Sequence, residues 1–236
     1  MRPLPQPIVA LDVASMAEAQ AVVLRLGERA DFYKVGLQLF AAEGPMVVKW
    51  LREEGKRVFL DLKLHDIPNT VGRAAESARR LGAALLTVHG LGGREMIRAA
   101  VEGGGDATGM LVVTLLTSMD TATASDALGR RLPAVEAEVL RLAGVARSEG
   151  AHGVVCGGAE AAAVCALPGR PLRVLVPGIR SPGSAAHDQS RVATPAEAAR
   201  AGATYVVFGR AVTQAADTVD AYDRLVRELA EAAGGA

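Results

Sequence analysis

Apolar residues fall along the chain in blocks of two kinds. The first kind is brief and rich in aliphatic residues: Ile8 to Val13, Phe32 to Gly36, Val58 to Lys63, Leu85 to His89, Met110 to Leu115, Gly153 to Cys156, Arg173 to Val176 and Tyr205 to Phe208. Runs of this length and composition predict buried strands. The second kind is longer and mixes Ala and Leu with Glu and Arg. It is clearest over Met16 to Leu26, Pro45 to Glu54, Val71 to Leu81, Glu136 to Glu149, Pro195 to Ala201 and Asp217 to Ala232, which predict helices. Thr194-Pro195-Ala196-Glu197 carries the capping-box pattern, with Pro at the first helical position.

The two kinds alternate. Eight strand–helix units over residues 1–236 predict one α/β domain, a closed parallel (β/α)8 TIM barrel. An open doubly wound sheet is the competing arrangement. No low-complexity linker divides the chain, and Ala232 to Ala236 reads as a frayed tail. Gly92-Gly93 and Gly103-Gly104-Gly105 lack a dinucleotide fingerprint and read as turns. The stretch between Ile179 and Thr194 is long for a connection, and it follows the seventh strand. A barrel sends that loop to its catalytic face, so the stretch reads as a lid.

Composition narrows the picture. Half of the 236 residues are apolar and only 3% are aromatic, so the core is large and mostly Ala, Val and Leu. The 26 basic and 26 acidic residues cancel, which leaves no global field for nucleic acid or an anionic membrane. A small anion needs only a local cluster. Residues Met1 to Pro7 have no apolar signal core and no run reaches membrane-spanning length, so the cytoplasm is the expected location. Cys156 and Cys165 read as small buried thiols, not a disulfide scaffold.

Charge appears where barrel strands should be apolar. Strand residues two apart share a face. Val58, Leu60 and Leu62 then form the face that packs on helices, and Phe59, Asp61 and Lys63 point into the barrel. The same alternation turns Asp12 and Lys34 inward on the first two strands, with Asp66 just beyond the third. Isolated buried charges cost several kcal/mol each, so these must pair. A structural salt-bridge network is the plain alternative. Barrel interiors are normally filled with branched aliphatics and the C-terminal rim is the catalytic one, which favours an active site. Lys63 between Asp61 and Asp66 suits a charged proton donor better than a Schiff-base nucleophile, which needs a neutral amine. A divalent metal on the carboxylates is conceivable, but two interleaved lysines already compensate them.

An anion handle is expected on the same C-terminal rim. Barrels commonly bind phosphate at the loops after strands 7 and 8. Pro177-Gly178-Ile179-Arg180 and Val207-Phe208-Gly209-Arg210 put one arginine in each, and Gly209 allows close backbone approach. His89 reads as scaffold, His152 and His187 have no evident partner, and Thr114, Thr117 and Ser118 are candidates to touch a polar ring.

Asp61-Leu-Lys-Leu-His-Asp-Ile-Pro-Asn-Thr70 resembles the signature of orotidine 5'-phosphate decarboxylases. Ala10-Leu-Asp12-Val, Tyr33-Lys34-Val-Gly36, Thr87-Val-His-Gly90, Pro177-Gly-Ile-Arg180 and Gly209-Arg210 resemble further family segments, in the same order, between about residues 8 and 215. The resemblance implies a (β/α)8 barrel that converts orotidine 5'-monophosphate to UMP without metal or organic cofactor. It implies Lys63 as the proton donor to C6 of the pyrimidine, and Asp61 against the departing carboxylate. Lys34 and Asp12 would hold the array and the ribose, and Thr117 the pyrimidine. Arg180, Gln189, Gly209 and Arg210 would hold phosphate. It also implies a homodimer in which Asp66 and Thr70 serve the neighbouring site. Val176, before the Pro-Gly, and His187 depart from the family pattern. The rivals are a metal-dependent keto-gulonate-phosphate decarboxylase or hexulose-phosphate synthase, a phosphoribosyl isomerase, and a non-catalytic nucleotide sensor.

Overall fold

A computed structural model describes residues 3–180 and 193–234. Eight parallel strands close on one another in chain order, β1 pairing with both β2 and β8. They are β1 (Gln6–Leu11), β2 (Phe32–Gly36), β3 (Arg57–Leu64), β4 (Leu85–His89), β5 (Gly109–Val113), β6 (Gly153–Val155), β7 (Arg173–Val176) and β8 (Tyr205–Phe208). The closed order excludes the open doubly wound sheet. The outer ring contains α1 (Met16–Leu26), α2 (Leu37–Glu43), α3 (Met46–Glu53), α4 (Pro68–Arg80), α5 (Gly93–Gly104), α6 (Thr121–Ala127), α7 (Val135–Ser148), α8 (Gly158–Cys165), α9 (Pro195–Ala201), α10 (Arg210–Thr213) and α11 (Thr218–Gly234). Among the described residues no helix is long and apolar enough to cross a membrane.

Alternation along the strands divides the core in two. Val58 and Leu60 join the large layer between strands and helices. Phe59 joins Ile8, Ala10, Phe32, Leu85, Leu111, Leu175, Tyr205 and Val207 inside the barrel. Phe32, Phe59 and Tyr205 are the aromatic residues of this interior cluster. At the N-terminal floor, Phe32 meets Tyr205 edge-on at 6.4 Å and the Arg57 guanidinium lies 4.1 Å over the Phe32 ring. His152 Nε2 lies 3.1 Å from the Tyr205 hydroxyl, a partner that sequence distance hides. These contacts fill the floor of the barrel with polar and aromatic groups.

Glycine sets one helix spacing. A Cβ on Gly103 of α5 would stand 2.2 Å from the Gly72 carbonyl oxygen of α4, so the two helices pack backbone to backbone. Gly103 and Gly104 thus belong to a helix rather than the expected turn; Gly105, at φ 54°, ends it. Two further expectations change. The last helix continues to Gly234, taking in Ala232 and Ala233 of the stretch read as a tail. Cys156 is buried, but Cys165 is exposed at the end of α8. The capping box at Thr194 forms as read: its hydroxyl accepts from the Glu197 amide, and Glu197 accepts from the Thr194 amide.

Candidate active site

The inward face of the first three strands ends in charge. Lys34 on β2 is buried, and its Nζ donates to Asp12 Oδ1 at 2.7 Å, just past the end of β1. The same ammonium lies 3.7 Å from Asp61 Oδ2 on β3. Lys63 Nζ donates to Asp61 Oδ1 at 2.8 Å. Acid and base thus alternate through space: Asp12, Lys34, Asp61, Lys63. Burial alone would raise the Asp61 carboxyl. The charges of Lys34 and Lys63, with hydrogen bonds from Lys63 and Thr87, outweigh it and hold the group below its ordinary range.

Two residues that shape this array escape a search for charge. A Cβ on Gly36 would lie 2.9 Å from Lys34 Nζ and 3.0 Å from Asp12 Oδ1, so glycine leaves room for the pair. Its spacing of two from Lys34, on the same strand face, is the signal that could have found it. Thr87 on β4 is the second. Its hydroxyl donates to Asp61 Oδ1 at 3.0 Å and accepts from the Lys63 amide at 2.9 Å. Among the described residues Lys63 alone, other than glycine, has positive φ, at 48°.

The array forms one wall of a cavity of about 620 Å³. Across it stand Arg180 after β7, and Gly209 and Arg210 after β8. Arg180 is itself buried. Thr117 and Ser118, after β5, also line the cavity, whereas the buried Thr114 hydroxyl donates to the Val155 carbonyl at 2.8 Å and holds two strands together. The loop termini near Arg180 are tied: Ile179 bridges Ala193, and the Arg180 amide donates to the Ala193 carbonyl at 3.0 Å. The expected lid between them lies outside the described residues, with Gln189 and His187.

Asp66 and Thr70 are not part of this wall. Both are exposed, and Asp66 Oδ1 accepts from the Ile67 amide at 2.6 Å at the entry to α4. His89 accepts from the Leu91 amide through Nδ1 and stacks on His65 with ring centroids 5.5 Å apart. Burial, then His65 and Lys63, push its imidazole below the usual histidine range, consistent with a neutral scaffold ring. Among the described residues no three His, Cys, Asp or Glu side chains group as a metal ion would need. Chemically, the arrangement offers an ammonium beside a fixed carboxylate, facing two guanidinium groups across a ligand-sized space.

The chain is similar to known proteins over most of its length. Orotidine 5'-phosphate decarboxylase of Anaeromyxobacter dehalogenans is 52% identical over 217 residues, covering 92% of this chain and 95% of that protein. The protein of the same name from Cutibacterium acnes is 48% identical over 221 residues, 92% and 93% of the two chains. The crystal structure of orotidine 5'-phosphate decarboxylase from Lactobacillus acidophilus matches with a TM-score of 0.83 at 36% identity, covering 97% of this chain and 99% of that one. A family model described as orotidine 5'-phosphate decarboxylase / HUMPS family matches residues 5–225. With its charged array at the C-terminal mouth of a closed barrel and relatives this similar over nearly its whole length, the chain belongs to the orotidine 5'-phosphate decarboxylase / HUMPS family.

Proposed function

We propose that this chain is a carboxy-lyase that converts orotidine 5'-monophosphate to UMP and carbon dioxide in pyrimidine biosynthesis. The observation that carries the reading is the alternating Asp12–Lys34–Asp61–Lys63 array on one cavity wall, with Arg180, Gly209 and Arg210 on another. A nucleoside monophosphate has a dianionic end suited to the arginines and a base that would reach the array.

In this reading the phosphate binds far from the bond that breaks. Its binding energy offsets the cost of bringing the substrate carboxylate near Asp61. As the bond from C6 to the carboxylate breaks, carbon dioxide departs and the electron pair stays on C6. Lys63 stabilises that developing charge and then gives C6 its proton. Lys34, paired with Asp12, faces Asp61 from the other side; Lys34 and Asp12 contact the ribose, and Thr117 holds the pyrimidine. Asp66 and Thr70, exposed and outside this chain's own cavity, serve the site of a second copy.

The chain just past three successive strands at the catalytic rim supports that pairing of chains. Leu37, Ile67 and Leu91 follow β2, β3 and β4, and are 60%, 65% and 40% exposed. Large apolar side chains repeated along one rim suit an interface.

The test is loss of orotidine 5'-monophosphate absorbance with purified protein in EDTA. Turnover is expected to persist in EDTA. Lys63→Ala is expected to abolish turnover while UMP binding stays measurable by calorimetry. Near-normal turnover by Lys63→Ala would sink the proton-donor role. Failure of the unmodified enzyme on this substrate, with metal-dependent turnover of a hexulose phosphate, would sink the whole reading.

A further inference from the structure

The β3–β4 ladder breaks where the chemistry sits. Leu60 pairs with Leu86, and the next aligned pair is Leu64 with Val88. Between those pairs β3 holds Asp61, Leu62 and Lys63, while β4 holds Thr87 alone. Three residues therefore face one. A bulge of this kind bends its strand and re-aims side chains, and bulges concentrate beside active sites. The bulge ends at Lys63, whose φ of 48° is costly for a residue with a Cβ. Something must hold that backbone in place.

Thr87 is built to do so. It points into the barrel and is fully buried, so its hydroxyl must find partners within the protein. It finds one in each direction. It accepts from the Lys63 backbone amide at 2.9 Å and donates to Asp61 Oδ1 at 3.0 Å. That oxygen also takes the Lys63 ammonium at 2.8 Å. One hydroxyl thus grips the backbone of the lysine and the carboxylate that the same lysine's amine engages. Asp61 Oδ1 is held by two donors, and Oδ2 faces Lys34 at 3.7 Å, so the carboxylate has little freedom to turn. Thr87 does not itself line the cavity.

We infer that Thr87 is a positioning residue for the decarboxylation: its hydroxyl closes the β3 bulge and sets Asp61 and Lys63 against each other in reacting geometry. The inference rests on the proposed function for its reaction, but not for its geometry. Losing one hydrogen bond to a charged group corresponds to a roughly tenfold to hundredfold effect.

The test compares Thr87→Val, which keeps the branched shape and removes the hydroxyl, with Thr87→Ser, which keeps the hydroxyl. For Thr87→Val, kcat is expected to fall about tenfold to a hundredfold with KM within about threefold. The acid limb of kcat/KM should move to higher pH. The groups facing Asp61 are Lys34, Lys63 and Thr87, with Asp12 on Lys34; only the threonine bond is removed. Thr87→Ser should recover kcat to within about threefold. Carbon-13 titration of the Asp61 carboxyl in ligand-free enzyme, identified through Asp61→Asn, should show the same upward shift in Thr87→Val. Thr87→Ala replaces the valine variant if that one does not fold. A valine variant with kcat within about twofold of the unmodified enzyme, or a serine variant as impaired as valine, overturns the inference. If the unmodified enzyme does not decarboxylate the substrate, the functional reading fails, and the ligand-free titration still decides the role of Thr87.

Discussion

Asp61 is the residue on which the opposing forces are clearest. It is among the most enclosed carboxyls at the site, and burial on its own would drive it toward the neutral acid. Lys34 reverses that outcome through its charge, and Lys63 through its charge and a hydrogen bond. The folded carboxyl lies below its ordinary value of 3.8, so the folded state binds this proton less tightly than the unfolded chain. Its contribution to stability is present above about pH 4 and is lost as pH falls through the lowered folded value. Lys34→Met removes one of the two charges. The Asp61 carboxyl should then rise, and the acid limb of kcat/KM should shift to higher pH. Urea midpoints measured against pH should show a smaller loss of stability on acidification than in the unmodified protein, because the folded and unfolded chains then bind this proton more nearly alike. An unmoved acid limb would mean that Lys34 does not govern this carboxyl. The charges themselves were legible from alternation alone, because Asp and Lys are conspicuous on an inward face. Gly36 and Thr87 were not, since an absent side chain and a neutral hydroxyl acquire meaning only from what stands a few ångströms away.

At the scale of elements, the strands carried the stronger signal. Phe32–Gly36, Leu85–His89, Arg173–Val176 and Tyr205–Phe208 have the bounds that their aliphatic runs predict. The β3 bulge left no trace in the sequence, because strict alternation and a bulged strand both turn Asp61 and Lys63 inward. Gly103 misled for a different reason. Three consecutive glycines suggest a turn when only propensity is considered, but Gly103 is in α5 because a tertiary contact needs its bare backbone. That contact yields a prediction of sign. Gly→Ala inside a helix favours folding by about 1 kcal/mol where space allows. At Gly103 the new methyl meets a backbone carbonyl of α4, and overpacking of this kind costs about 1–3 kcal/mol. Gly103→Ala should therefore lower stability in thermal melts despite its better propensity. Gly144→Ala in α7, where nothing lies within 4 Å of the new Cβ, should raise stability by roughly 0.5–1 kcal/mol. Equal effects at the two positions would show that propensity, not α4–α5 contact, decides.

At the scale of the molecule, the closed barrel gives one end to stability and the other to chemistry. Aromatic rings and Arg57 seal the floor, so the array, the arginines and the apolar Leu37, Ile67 and Leu91 all gather on the opposite rim. Asp66 makes that rim informative. It is only three residues from Lys63 in sequence, yet it is exposed and turns toward the Ile67 amide instead of the cavity. If it completes the site of a second copy, two inactive variants should rescue each other. Lys63→Ala damages the site its own chain forms, and Asp66→Ala damages the neighbour's. Exchange of a one-to-one mixture gives half mixed dimers, and in each of these one site collects both lesions while the other has none. The mixture should recover about a quarter of unmodified activity, in step with mixed-dimer formation followed by native mass spectrometry. If each site were formed by one chain, the mixture would stay as inactive as its components, and Asp66 would have to act within its own barrel, from a position that faces away from the cavity.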